Sequence, residues 1–277
     1  MKFTKMHGAG NDYIYINCFE EKIENPSELA VRLSDRHFSI GGDGIILICP
    51  SEIADAKMRI FNADGSEAKM CGNGVRCVGK FVYDNGIAKK EIIRIETNSG
   101  IKTLKMVLKD GVAVAARVDM GKAVLNPAEI PVLLDGDSVI DRPVEIGGQE
   151  YRITCVSMGN PHCVVFVDDV ETLDLPAIGK QFEFNPIFPD RVNTEFVQVL
   201  GRNKLKMRVW ERGSGETLAC GTGTCATVVA ATLCGYCDKG VPVEVALRGG
   251  RLTIEYTDET VYMTGEAVTV FKGEIDL

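Results

Sequence analysis

Two short stretches hold the residues most able to do chemistry. Near position 71 the chain reads MCGNGVRC, and toward its other end it reads ACGTGTCA. In each, a cysteine precedes Gly-x-Gly, and the two cysteines, Cys71 and Cys220, lie about half a chain apart. Strand-like residues precede each motif and an apolar helical run follows it, so each cysteine is expected at a helix N-terminus. Peptide dipoles and backbone N–H groups there lower a thiol's pKa. The glycines let the backbone come close to a ligand, and the same N–H groups can hold a carboxylate. One such unit suits a cysteine nucleophile. Two units acting on one carbon suit removal of a proton from one face and delivery of a proton to the other. Inversion at an amino-acid α-carbon demands this, with the carboxylate accepting the developing charge and thiolate and thiol serving as base and acid.

Laying NADGSEAKMCGNG beside ERGSGETLACGTG matches Glu67 with Glu216, Gly72 with Gly221 and Gly74 with Gly223, as well as the cysteines. Two related half-domains explain the match better than chance similarity around a turn. The elements that must position the cysteines are mostly strands. KFTKMH and YIYINC read as strands around a tight GAGND. A helix follows over NPSELAVRLSDR, with Asn25 as N-cap, Pro26 at its first position and Glu28 at the capping-box position. Strands at Ile45–Cys49 and Lys57–Asn62 come next, then a helix from Cys71 stopping at Gly86. EIIRIET, IKTLKMVL and VAVAARVDM read as strands, the last two joined by Asp110-Gly111. The second half repeats the logic with strands YRITCVSM, CVVFVDDV, TEFVQVL and KLKMRVW. It continues with helices LPAIGKQFEF and GTGTCATVVAATLCGYC, and closes on strands VEVAL, RLTIEY and VYMTGEAVTVF. A composition shift places a boundary near Asp119–Pro127.

The bulk numbers narrow the function classes. The 277-residue chain is 45% hydrophobic and 25% charged, as an ordinary globular protein is. A net charge of −8 disfavours a nucleic-acid partner. MKFTKMHGAGNDY lacks a secretory apolar run, and CATVVAATLC is too short to span a bilayer, so no membrane association and a cytoplasmic location are expected. Most of the ten cysteines are then core thiols rather than a disulfide framework, the exceptions being those set among glycines. Cys234 and Cys237 form one C-x-x-C, weak evidence for zinc without a second pair, so no metal is expected.

Taken in order, these motifs resemble the diaminopimelate epimerase family: KMHGAGNDYIYIN, NADGSEAKMCGNGVRC, SMGNPHCVVFV, PDRVNTEFVQV and VWERGSGETLACGTGTCA. The resemblance runs nearly end to end. It implies an α+β fold of two pseudo-symmetric domains, each a curved, mostly antiparallel sheet around a central helix, with the active site in the interdomain cleft. The N-terminal half would be residues 1–118 plus about 267–277, and the C-terminal half 119–266. The implied reaction is LL- to meso-diaminopimelate, without a cofactor, by a homodimer. Cys71 and Cys220 correspond to the base and acid, and His162 and Glu211 to residues supporting them. Gly72, Asn73, Gly221 and Thr222 match the carboxylate cradle. Asn11, Asn62, Asn160, Asn193, Glu211 and Arg212 match positions holding the substrate. The sequence departs from some members at Gly44, where they carry a glutamine, and at Phe271, where they carry a dimer-contact tyrosine.

Plainer readings stand beside these. Taken alone, His162 suits a structural histidine, Glu211 and Arg212 a solvated ion pair, Asn11 a turn, and the GGDG at Gly41–Gly44 a turn as well. Cys77 and Cys225 fall inside the following helices as packed thiols. A sister racemase for another amino acid, a cysteine hydrolase using His162, and a thiol-redox or metal module on Cys234 and Cys237 are the competing functions. The hydrolase leaves the duplicated motif unused.

Overall fold

The structure, a computed structural model, describes residues 1–276. The chain divides into two compact units, Met1–Asp119 with the chain from Thr264 onward, and Met120–Met263. In the first unit the order is β1 (Lys2–Gly8), β2 (Asn11–Asn17), α1 (Pro26–Ser34), β3 (Gly44–Cys49), β4 (Ala56–Asn62), β5 (Glu67–Ala68), α2 (Gly72–Asp84), β6 (Ile92–Thr97), β7 (Gly100–Lys109) and β8 (Val112–Gly121). The second contains β9 (Arg142–Ile146), β10 (Gln149–Ser157), β11 (Pro161–Phe166), α3 (Leu175–Glu183), β12 (Asn193–Gly201), β13 (Lys204–Glu211), β14 (Gly215–Thr217), α4 (Gly221–Leu233), β15 (Val243–Leu247), β16 (Gly250–Tyr256) and β17 (Val261–Glu266). A last strand, β18 (Val268–Glu274), pairs antiparallel with β1.

The two units share one wiring. β1 and β2 pair antiparallel, β2 and β3 parallel, β3 and β4 and then β4 and β5 antiparallel, β4 and β6 parallel, and β6 and β7 antiparallel. The second unit repeats this sequence of pairings through β10, β11, β12, β13, β14, β15 and β16. The fold is thus α+β with mostly antiparallel pairing, built twice.

Each unit holds one helix inside and one outside its sheet. Every residue of α2 from Gly72 to Tyr83 is buried, and the helix touches β1, β2, β4, β6 and β7. Helix α4, apolar all round, touches β10, β11, β12 and β16. On the other face, α1 packs against β3 and β4, and α3 against β12, β13 and β14. Strand periodicity divides the core between these faces. Ile14, Ile16, Ile45 and Leu47 join the α1 side with Leu29 and Leu33. Phe182 of α3 packs with Phe196, Val165 and Ile153.

Local signals explain the helix starts. Asn25 caps α1, taking the Glu28 N–H and giving its Nδ2 to Glu28 Oε2 at 2.8 Å. Asp174 caps α3 at Ala177 N, 3.3 Å away. Four expectations differ from the structure. VYMTGEAVTVF forms two strands, interrupted at Ala267, whose N–H turns to Val114 O at 3.1 Å. CVVFVDDV ends as a strand at Phe166, because Asp169 folds back to accept the Glu171 N–H at 2.9 Å. The hairpin strand β9 is not among the sequence expectations; Gly147 and Gly148, both at positive φ, form its turn. The helix GTGTCATVVAATLCGYC stops at Leu233, so Cys234 is its C-cap and Cys237 lies beyond it. Phe271 of β18 packs edge-on to Phe3 at 5.9 Å and stays 46% exposed. Among the described residues, no helix is long and apolar enough to cross a membrane.

Candidate active site

Cys71 and Cys220 are the N-caps of the two inner helices. Cys71 Sγ takes the Gly74 N–H at 3.3 Å, and Cys220 Sγ takes the Gly223 N–H at 3.4 Å. A sulfur replaces the usual serine or asparagine oxygen at each cap. Each helix also needs glycine at its third position. A Cβ on Gly74 would come within 2.7 Å of Ile46 Cδ1, and one on Gly223 would overlap Glu195 Oε1.

Carrying the strand registers outward from the cysteines aligns the two surroundings residue by residue. Phe61 lies opposite Glu67 as Trp210 lies opposite Glu216, so Asn62 corresponds to Glu211. Ile46 opposite Ile60 corresponds to Glu195 opposite Val209. Tyr13 opposite Gly44 corresponds to His162 opposite Asn193, and Asn11 therefore to Asn160.

In the first unit the Cys71 thiol donates to Asn11 Oδ1 at 3.1 Å. Asn11 Nδ2 is anchored on Asp43 Oδ2 at 2.7 Å, and Asp43 also takes the Asp12 N–H and an Arg36 Nη2–H. The GGDG stretch, read as a turn, is therefore also the support of Asn11. Asn73 Oδ1 accepts from Arg76 Nη2 at 3.0 Å, and Arg76 Nη1 donates to Gly72 O at 3.2 Å. Arg76 is fully buried. Asn62 donates to Ser66 Oγ at 3.0 Å. No side chain fits at Gly44, since its Cβ would overlap Phe61 O, so a glutamine contact from that position is sterically closed.

In the second unit Thr217 Oγ1 donates to Glu211 Oε1. Burial raises the Glu211 carboxyl above its ordinary value, against the pull of Thr217 and the neighbouring Cys220 thiol. Thr222 Oγ1 lies 3.5 Å from Cys220 Sγ. His162 is fully buried, with Nδ1 2.8 Å from Glu195 Oε1 and Nε2 3.0 Å from Asn160 Oδ1. Asn193 is buried; its Nδ2 donates to Pro161 O and its Oδ1 accepts the Arg212 N–H. Arg212 is exposed and its Nη1 donates to Asp190 O at 2.8 Å. Glu211 and Arg212 thus turn to different partners rather than to each other.

The expectation of a lowered thiol pKa fails for Cys220. Burial raises it well above the ordinary range, and the nearby Glu211 and Glu195 carboxylates add to the rise. The Thr222 hydroxyl and Gly223 N–H oppose them without prevailing. A helix N-terminus is a small effect beside desolvation and two carboxylates. Cys77 and Cys225 are buried in α2 and α4, as packed thiols. Among the described residues, no three His, Cys, Asp or Glu side chains converge on a metal position.

Glu195, Arg76, Asp43 and Thr217 are site residues that the sequence does not announce. A faint signal exists for Glu195, a carboxylate within the otherwise strand-like NTEFVQVL.

The sequence profile described as diaminopimelate epimerase matches residues 3–126 and 154–270. A diaminopimelate epimerase from Acetivibrio thermocellus is 57% identical, with 100% of this chain and 99% of the relative covered. One from Methanococcus maripaludis is 54% identical, with 100% of both chains covered. Among solved structures, a probable proline racemase from Agrobacterium radiobacter superposes with a TM-score of 0.72 at 13% identity, covering 100% of this chain and 93% of that one. A Bacillus anthracis phenazine biosynthesis protein gives 0.71 at 17%, covering 100% and 99%. At such identities these two likenesses speak for the fold. With its profile match and its full-length relatives, the chain belongs to the diaminopimelate epimerase family.

Proposed function

We propose that this protein epimerises LL-2,6-diaminopimelate to the meso form, in lysine and peptidoglycan-precursor biosynthesis, by two-base proton transfer at the α-carbon. The family is one of cofactor-independent isomerases. The observation that carries the reading is the doubled N-cap: two cysteines, each on a buried helix, in units of identical wiring. One sulfur removes the α-proton while the other delivers a proton to the opposite face. Burial and two carboxylates hold Cys220 as a thiol, which suits it to the acid role at rest.

The carbanion needs its charge spread onto the reacting carboxylate. With each sulfur occupying the third N–H of its helix, the cradle is assigned to Gly72 and Asn73 of α2 and to Gly221 and Thr222 of α4. Glu211 reaches Cys220 directly and supports its proton exchange, whereas His162 acts at one remove, through Asn160 and Glu195. Asn11, Asn62, Asn160, Asn193, Glu211 and Arg212 are assigned to the substrate, with Arg212 suited to the distant carboxylate by its two-pronged guanidinium. We also infer a cytoplasmic homodimer, checked by sedimentation of the purified protein.

Incubation in heavy water tests the reaction. LL-diaminopimelate must gain deuterium at the α-carbon as the meso form appears. Exchange with a different amino acid and none with diaminopimelate would replace this substrate assignment with a sister racemase.

A further inference from the structure

Glu195 is a carboxylate at a position where the first unit uses hydrocarbon. Its counterpart Ile46 packs its Cδ1 toward Gly74, and Glu195 packs its carboxylate toward Gly223 in the same manner. The His162 and Glu195 side chains are both 0% exposed, with Nδ1 and Oε1 2.8 Å apart. The other ring nitrogen faces Asn160 Oδ1 at 3.0 Å. Both ring partners are oxygens of acceptor groups, a carboxylate and an amide carbonyl. With an acceptor oxygen facing each ring nitrogen, both contacts are satisfied as hydrogen bonds only by a ring that donates from both. The second Glu195 carboxylate oxygen, Oε2, is buried and has no hydrogen-bond partner among the described residues. A carboxylate so placed depends on a neighbouring cation for compensation.

The corresponding asparagine in the first unit is turned the other way. Asn11 gives its Nδ2 to Asp43 and presents its Oδ1 to the Cys71 thiol. Asn160 commits its Oδ1 to His162, which leaves its Nδ2 as the end offered to a ligand. We propose that Glu195 is a positioning residue which, through a doubly donating His162, holds the Asn160 amide in the sense opposite to Asn11, so that pseudo-equivalent asparagines present an acceptor in one unit and a donor in the other. The role as substrate positioner rests on the epimerase reading above.

Replacing Glu195 with glutamine separates charge from shape. The amide carbonyl that E195Q introduces still accepts the Nδ1–H, but without the counter-charge the ring releases its Nε2 proton to solvent. Nε2 then becomes an acceptor, and the Asn160 amide must rotate to offer its Nδ2. The experiment records imidazole nitrogen NMR on histidine-labelled protein, with His162 assigned by its loss in H162N. Both His162 nitrogens should be protonated in the wild type at neutral pH, and one only in E195Q. In parallel, kcat/KM for diaminopimelate should fall roughly 10- to 100-fold in E195Q, mainly through KM. Asn160→Ala added to E195Q should cost less than about twofold more. A neutral His162 in the wild type, a ring still cationic in E195Q, or losses that multiply independently would overturn the proposal. Should E195Q not fold, the wild-type spectrum decides alone. That spectrum needs no substrate, so a protein with a cationic His162 that fails to epimerise diaminopimelate overturns the functional reading and not the ring's charge.

Discussion

The surroundings of Cys71 and of Cys220 share a backbone and differ in chemistry. Each sulfur caps a buried helix by taking the N–H three residues on. Around Cys71 the supporting positions hold Tyr13, Ile46 and Asn62; around Cys220 the same positions hold His162, Glu195 and Glu211. Inside the helices, Arg76 is matched by Cys225. The charge that the first unit places on its inner helix, the second places on its strands. The duplicated backbone holds the two thiols alike, and the strand residues make their surroundings unlike. Cys220, buried against two carboxylates, is held as a thiol. Cys71, less buried, leans on a neutral amide oxygen.

The largest expected effect removes either sulfur. C71A and C220A should each lower epimerisation by about a thousandfold or more, because general acid–base groups carry factors of that order. If either variant kept a tenth of wild-type turnover, the two cysteines would not be partners in one proton transfer.

Next comes the buried charge. R76A should destabilise the protein by about 2–5 kcal/mol, since it removes the side-chain hydrogen bonds to Gly72 O and Asn73 Oδ1 and leaves a hole. C225A at the matching position removes only one sulfur from an apolar core and should cost roughly 1 kcal/mol. Urea unfolding of the two variants compares them; equal losses would mean that Arg76 acts as packing alone.

A smaller contrast lies at the third helix position. G74A pushes on the tip of Ile46 and should cost about 1 kcal/mol, whereas G223A drives a methyl into the Glu195 carboxylate and should cost about 3 kcal/mol. Thermal melting in the two variants measures the difference. A reversed order would show that Glu195 gives way more easily than Ile46.

The smallest effect is in the pH dependence of stability, and the two units differ in sign. Burial raises the Glu211 carboxyl in the folded state, so the folded protein binds that proton more tightly than the unfolded chain. Stability then falls as pH rises from the unfolded to the folded value, and E211Q should be more stable than wild type at neutral pH. Asp12 is the reverse: burial pushes it up, but Arg36 and Lys5 outweigh that and hold it below its ordinary value. Its contribution is present above the unfolded carboxylate value and is lost as acid carries the pH through the folded one. D12N should therefore be less stable than wild type at neutral pH. Both differences should vanish in strong acid. Unfolding free energies from neutral to acid pH test the pair, and parallel shifts of the two variants would contradict it.

Much of the scaffold was legible because its signals are local. Asn25, Pro26 and Glu28 announce α1, and Gly86 marks the end of α2, within a few residues of chain. The doubled Cys-Gly-x-Gly was visible because a helix start is written in consecutive residues. The resemblance to a known family supplied the roles of His162, Glu211 and the asparagines, which no local rule assigns. Illegible were the partners made by strand register. Asp43 and Asn11 are separated in sequence and meet only through β2 and β3 pairing. Glu195 looks like any polar residue in a strand until β12 is buried on both faces. Arg76 on a helix reads as a solvated residue until the sheet is seen to enclose α2.

The sequence by itself determined where the helices begin, which residues cap them, and that one chemical unit occurs twice, because capping, turn geometry and repetition depend on neighbours a few positions apart. Tertiary structure alone decided the electrostatics of the Cys220 sulfur. Desolvation and the approach of Glu195 and Glu211 depend on strands brought together from distant parts of the chain, and these outweigh the helix-terminus effect that the motif advertises.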